Sequence, residues 1–196
     1  MRLLYRLYLA FLQYITTPIN KLHIRLSGGH YGKCFHTRGQ LLVRNYTGKN
    51  GIVIGDSVSI NSCIAANPVG GGKTVLYVNN GASLIIGSNI GISNSTICAK
   101  SGISIGNNVT IGAGASILDS DFHPLDPEAR KKGGEGTISL PICIQDNVFI
   151  GANATILKGV TIGSGAVIGA CSVVTRNVPA GEIWAGNPAK FIRKIK

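Results

Sequence analysis

From Ile144 onward a large aliphatic residue recurs at every sixth position, Ile150, Ile156, Ile162, Ile168 and Val174, without a slip. Two residues before these later rungs stand Val148, Ala154, Val160, Ala166 and Ser172. Upstream, Ile105, Ile111 and Ile117 keep the same spacing, as do the pairs Ile54/Ile60 and Ile86/Ile92. A helix repeats its apolar face about every 3.6 residues, and sandwich strands show turn signals every 8–12 residues or so. A rung and the residue two before it share one side of a short strand. Such a strand has too little surface to fold alone, so successive coils must bury their rungs against one another. The ladder therefore predicts an all-β solenoid, a parallel β-helix of hexapeptide repeats. A Gly follows several rungs (Gly151, Gly163, Gly169) and is expected to ease a sharp bend through dihedrals that other residues avoid.

Composition agrees with that architecture. The chain is 44% hydrophobic but only 6% aromatic, with 27 Gly, which excludes a disordered, charge-dense polymer. Its 196 residues suffice for one sizeable core and are too few for two independent domains. The five cysteines have neither CxxC spacing nor a His partner at ligand distance, so they read as small thiols of a reducing compartment, and no metal site is expected.

Net charge is +11, and residues 1–55 carry eight Lys or Arg and no acid. A basic face of this kind suits phosphates, an anionic glycan carrier or a lipid surface. No nucleic-acid-binding module accompanies the charge, so nucleic acid is not an expected partner. The opening segment, MRLLYRLYLAFLQYI, places Leu4, Tyr8, Phe11 and Ile15 on one side of a helix, with Arg2, Arg6 and Gln13 elsewhere. It is too short and interrupted to span a bilayer and lacks the small-residue cleavage site of a signal peptide. Residues 1–30 are expected to form an amphipathic helical segment packed on the protein body, or one in peripheral membrane contact through residues 1–26. Pro18 is expected to end the helix or begin its exit. The β-helix is assigned to residues 31–178, and a basic tail or short C-terminal helix to residues 179–196.

The breaks in the ladder carry as much information as its rungs. An Asn-Pro-Val-Gly-Gly-Gly-Lys segment between Ile60 and Ile86 predicts a loop or enlarged corner. From Ile92 the count passes Cys98 and then gains one residue before Ile105. From Ile117 the next rung falls on His123, after which the ladder stops until Ile144. The intervening stretch predicts a protruding loop over residues 124–141, and functional residues favour loops held by a rigid scaffold. An imidazole titrates near neutral pH and can take the proton of an attacking hydroxyl, so His123 is the candidate general base, with a structural histidine as the alternative. Asp119 and Asp121 would share its side if the stretch stays extended, either to orient the ring or to cap turns. His23, His30 and His36 are assigned no chemistry.

Three blocks in order, DSDFHPLDPEARKKG, the ladder PICIQDNVFIGANATILKGVTIGSGAVIGACSVVTRNVP, and AGNPAKFIRKI, resemble the galactoside, maltose and capsular-polysaccharide O-acetyltransferases of the hexapeptide-repeat acyltransferase superfamily. The resemblance runs from about Ser116 to Lys196 and covers none of residues 1–53. It implies a left-handed coil, against the usual crossover hand, and a homotrimer with acetyl-CoA bound between neighbouring subunits. His123 matches the family's catalytic histidine. Ala152 matches a serine of the galactoside enzymes, so the oxyanion donor is expected to be the backbone N–H of Gly151 or Ala152. Phe149 stands where relatives often have Trp, beside the acceptor or the pantetheine. Ala170 matches a backbone contact to the pantetheine, Thr175 and Arg176 positions near the CoA phosphates, and Lys190 and Arg193 basic residues near the adenosine end. Asn94 falls near an acceptor-binding Asn. The alternative for Lys190, Arg193, Lys194 and Lys196 is a solvated basic tail.

The leading expectation is an acetyl-CoA-dependent O-acetyltransferase acting on a saccharide hydroxyl of a surface-polysaccharide precursor (capsule, O-antigen or exopolysaccharide), in the cytoplasm or at the inner face of the membrane. The alternative is N-acetylation of an amino sugar, or acetylation of a small acceptor such as serine, a free sugar or an antibiotic. A metal hydratase on a similar coil would need several projecting His ligands, and a purely structural or ice-binding β-helix would leave the His123 excursion unexplained.

Overall fold

The computed structural model describes residues 1–133 and 136–195; Gly134 and Glu135 of the expected loop and Lys196 of the expected tail lie outside the described residues. The rungs stack in three columns, one for each of three sheets built from parallel pairs along the coil axis. Sheet A aligns Ile54, Ile86, Ile105, Ile144 and Ile162. Sheet B aligns Ile60, Ile92, Ile111, Ile150 and Ile168. Sheet C aligns Leu76, Ile97, Ile117, Ile156 and Val174. Every one of these side chains is at most 2% exposed, and each such burial contributes about 1.5–3 kcal/mol relative to exposure. The run Ile144–Ile150–Ile156–Ile162 thus crosses sheets A, B and C and returns to A, one full coil.

Two details differ from the sequence reading. The rung near position 98 is Ile97, fully buried between Leu76 and Ile117, while Cys98 points outward. Asn94 adopts φ +44° and shortens the corner after Ile92. The one residue so released, together with the one inserted before Ile105, lengthens the next corner, around Lys100–Gly102. The glycines that follow the rungs serve a different need from the expected bend. Positive φ falls three residues after the rung, on Asn108, Asn147, Asn153 and Cys171. The glycine itself makes room for the next coil: a Cβ on Gly112 would lie 2.6 Å from the Ala152 nitrogen, and one on Gly163 2.4 Å from that of Ala180.

Helix α1 (Arg2–Leu26) continues through Pro18 rather than ending there. An interior proline costs a helix about 3 kcal/mol, and here contacts with the first coil hold the helix on both sides of it. The fully buried Asn20 donates from Nδ2 to Thr37 Oγ1 (2.8 Å) and the Gly39 carbonyl (2.9 Å), and its Oδ1 accepts from the Leu41 N–H (3.1 Å). Thr16 and Thr17 donate to the Thr37 carbonyl at 3.0 and 3.1 Å, and Ile24 enters the core. The helix therefore packs through a largely polar face and leaves Leu4, Tyr8, Phe11 and Ile15 exposed.

At the other end the expected short helix is a strand pair. Glu182–Ala185 extends sheet B, with Ile183 and Trp184 beside Val167 and Ile168, and Lys190–Lys194 returns antiparallel to it. The coil continues past Val174 with the buried Val178, which bridges Ile162, and with Trp184 beside Ile168, and Gly186, at φ +103°, supports the reversal.

Candidate active site

The chain leaves the coil after Leu118 and rejoins it at Ile142. Asp119, at the exit, is fully buried. Its Oδ1 accepts the Lys100 N–H (2.7 Å), and its Oδ2 accepts those of Ser101 (2.8 Å) and Gly102 (2.7 Å). Of the two roles open to it in sequence, this is the capping of a turn, here the enlarged corner of the preceding coil. The two legs of the excursion then pair: Ser120 and Ser139 form an antiparallel bridge with hydroxyls 2.9 Å apart. On either side of the bridge the Asp121 N–H donates to the Ile138 carbonyl (3.0 Å) and the Leu140 N–H to that of Asp119 (2.9 Å).

Beyond this neck Phe122 sits at φ +62°, a costly conformation for a bulky residue. Its N–H donates to Ser120 Oγ (3.0 Å), and Lys100 Nζ lies 5.2 Å from its ring centroid. The turn breaks the extended alternation that would have placed Asp119, Asp121 and His123 on one side. It also takes His123 off the ladder: the sheet-A rung at that level is Ile144, and His123 is exposed.

The backbone after His123 is held as firmly as that before it. Pro124 is buried, and Arg130, on helix α2 (Pro127–Lys131), donates to the carbonyls of Pro124 (3.1 Å) and Leu125 (2.7 Å). Asp126 caps α2 by accepting the Ala129 N–H at 2.7 Å. Among the described residues no group hydrogen-bonds to the His123 ring. Asp121 instead pairs with Lys158, Oδ1 to Nζ at 2.5 Å, and its buried Oδ2 has no hydrogen-bond partner among the described residues. At the foot of the neck the Cys98 thiol is pushed up, first by burial and then by the Asp119 carboxylate, with Lys100 opposing.

A second set of expected residues lines the corner between sheets B and C. Gly151–Ala152 and Ala170 stack there in successive coils: the Gly151 N–H donates to the Ile168 carbonyl (2.8 Å) and the Cys171 N–H to that of Ala152 (2.8 Å). Gly151 is thus unavailable as an oxyanion donor, because its amide is part of the coil ladder. The Ala152 amide has no acceptor among the described residues. Asn94, only 5% exposed, donates to the carbonyls of Asn67 (2.8 Å) and Val69 (3.2 Å), holding the 62–74 loop over this corner. Its Oδ1 is buried without a hydrogen-bond partner among the described residues. Phe149 lies half-exposed on the outer face of sheet B. Thr175 and Arg176 are exposed at the corner between sheets C and A, one coil beyond Lys158, and Lys190 and Arg193 are exposed on the terminal strand.

One chain therefore carries the imidazole on its C–A edge and the free Ala152 amide, Ala170 and Asn94 on its B–C edge. It brings together neither His123 with its expected aspartates nor His123 with the oxyanion donor. Sequence reasoning missed Lys158, Phe122, the Ser120–Ser139 neck and Arg130. Only Lys158 left a trace, as the one lysine between Ile144 and Val174.

Residues 144–176 match the family model described as bacterial transferase hexapeptide (six repeats), and residues 84–119 that described as hexapeptide repeat of succinyl-transferase. Fold and matches together describe a coil of hexapeptide repeats that is similar to those of the hexapeptide-repeat acyltransferases. The chain is 51% identical over 94 residues to a putative acetyltransferase of Schizosaccharomyces pombe, covering 48% of this chain and 44% of that protein. It is 40% identical over 121 residues to the galactoside O-acetyltransferase of Escherichia coli, covering 61% and 58%. It thus spans about half the length of these relatives. A hexapeptide-repeat-containing acetyltransferase of Vibrio cholerae, solved in complex with acetyl coenzyme A, superposes with a TM-score of 0.61 at 28% identity, covering 89% of this chain and 75% of that one.

Proposed function

We propose that the chain is an acetyl-CoA-dependent O-acetyltransferase of a saccharide hydroxyl, with His123 as general base, working as a homotrimer of left-handed coils. The observation that carries this reading is an exposed imidazole on a backbone clamped at both sides, by the neck and by Arg130. A ring so held can accept the hydroxyl proton at a nitrogen while the acceptor oxygen attacks the thioester carbonyl, and can return that proton to the CoA sulfur as the C–S bond breaks. Its separation from the Ala152 amide, on another edge of the coil, supports a site completed between neighbouring copies, the C–A edge of one against the B–C edge of the next. There the Ala152 N–H faces the developing oxyanion.

Acetyl-CoA supplies the acetyl group as an activated thioester. The chain fits such a donor: Arg176, Lys190 and Arg193 are exposed cations suited to phosphates, and the exposed backbone at Ala170 suits the pantetheine. Phe149 and the corner held by Asn94 are assigned to the acceptor side. Residues 1–55, with eight cations and no acid, favour an anionic or lipid-linked polysaccharide precursor as acceptor and a cytoplasmic place of work at the inner face of the membrane.

The test is incubation with acetyl-CoA and a panel of saccharide and amino-sugar acceptors, with products resolved by mass and by lability to mild base. A base-labile acetyl ester is expected. A base-stable amide as the sole product overturns the hydroxyl assignment, and absence of acetyl-CoA binding in calorimetry overturns the transferase reading itself.

A further inference from the structure

Helix α1 is oriented opposite to most surface helices. Its coil-facing side is largely polar, with Gln13, Thr16, Thr17 and Asn20 beside the buried Ile24, and an apolar stripe faces outward: Leu4 is 71% exposed, Leu7 57%, Phe11 59%, Tyr14 81% and Leu22 56%. Large exposed apolar patches of this kind mark interaction surfaces. No helix of the described residues is long and apolar enough to cross a membrane. Along one flank of the stripe, between α1 and the first strand of sheet B, runs a cleft of about 700 Å³ whose polar lining includes Arg6, Gln13, Tyr14, His36 and Arg38. Among the described residues no carboxylate pairs with Arg6 or Arg38; the Arg38 guanidinium donates one long hydrogen bond, to Asn61 Oδ1 (3.5 Å). Tyr14 belongs to both the stripe and the cleft, so the apolar and cationic surfaces are continuous.

We propose that α1 and this cleft form a docking surface for an anionic lipid bilayer, the stripe entering the acyl boundary and Arg6 and Arg38 meeting lipid phosphates. An interfacial helix needs these two components together, apolar area and cationic flanks, and guanidinium forks suit phosphate oxygens. Pairing of the stripe with that of a second copy is disfavoured. Pairing two stripes would gather Arg2, Arg6, Lys21 and Arg25 of both helices, and residues 1–55 offer no acid to offset them. The inference stands apart from the acetyl-transfer reading, since binding to a bilayer requires no turnover.

The test is flotation of the full chain with vesicles of phosphatidylcholine alone and of phosphatidylcholine mixed with phosphatidylglycerol. The native chain is expected to float with the mixed vesicles and to lose that binding as salt rises. Arg6→Gln and Arg38→Gln should each lower the partition about five-fold, and Leu7→Ser with Phe11→Ser should lower it at least ten-fold with the thermal transition unchanged, because these side chains touch little of the fold. Equal flotation with neutral vesicles, or none with either, overturns the proposal. So does a drop in sedimenting mass on Leu7→Ser/Phe11→Ser, which would make the stripe a contact between copies. Acetyl-CoA binding, measured on the same variants, should not move, so failure here is separable from failure of the transferase reading.

Discussion

Lys158 Nζ lies 2.5 Å from Asp121 Oδ1, so the aspartate nearest His123 in sequence is paired to the next coil and not to the imidazole. Both side chains are largely buried, at 26% and 20% exposure, and the other Asp121 oxygen has no hydrogen-bond partner among the described residues. Lys158→Met would leave the whole carboxylate unpaired in a poorly solvated place. The expected cost is about 1–3 kcal/mol, seen as a lower thermal midpoint and faster proteolysis within residues 119–141, with turnover reduced and acetyl-CoA affinity kept. An unchanged midpoint and cleavage rate would show that the pair does not anchor the loop.

Asp119 offers a sharper stability test, because its carboxylate accepts three backbone N–H groups while fully buried. Asp119→Ala should lower the unfolding free energy by about 2–4 kcal/mol, measured from urea midpoints. Asp119→Asn should restore only part of the loss, since one amide oxygen replaces two carboxylate oxygens and an NH2 then faces an N–H.

Close coil approach separates a glycine that follows a rung, Gly112 after Ile111, from one that precedes a rung, Gly91 before Ile92. A Cβ on Gly112 would meet the Ala152 nitrogen at 2.6 Å, whereas one on Gly91 would meet nothing within 4 Å. Gly112→Ala is expected to destabilise by about 1–3 kcal/mol and Gly91→Ala to stay within about 0.5 kcal/mol of the native chain. Equal effects in calorimetry would remove close coil approach as the reason for the glycine.

Burial and the Asp119 carboxylate raise the Cys98 thiol above its ordinary value. At any mildly alkaline pH its thiolate fraction is therefore smaller than that of an ordinary cysteine, and its alkylation should lag. Iodoacetamide followed by peptide mass analysis should modify the exposed Cys34 and Cys171 first and Cys98 well after them. Early labelling of Cys98 would contradict the described neck.

The coil from Ile144 to Val174 was legible because six residues per rung is a period that neither helix nor hairpin shares, and each of its rungs is buried where the count places it. The count failed wherever a corner changed length. Ile97 and Cys98 are both apolar enough to be rungs, and only the φ +44° turn at Asn94 decides between them. The same limitation put His123 on a rung: spacing does not report that Ser120 and Ser139 pair and carry the chain outward. The role of Asp119 depends on three amides some twenty residues earlier in the chain, and the pairing of Asp121 on a lysine one coil later. These polar contacts of the excursion with neighbouring coils follow no sequence period. The last strand pair was missed because Lys190–Lys194 lies wholly exposed and carries no buried rung to mark it. The helix at the other end was visible in its periodicity, but its orientation was set by Asn20 and the two threonines and not by its apolar stripe.

The central claim is that the exposed, backbone-clamped imidazole takes the acceptor's proton. Its most direct test is His123→Ala in single-turnover acetyl transfer to an acceptor found in the panel, with acetyl-CoA affinity measured by calorimetry on the same preparation. Because no group hydrogen-bonds to the ring among the described residues, the variant should fold and bind acetyl-CoA as the native chain does, while the rate of transfer falls about 10²–10⁴-fold. Transfer at a near-native rate would contradict the account.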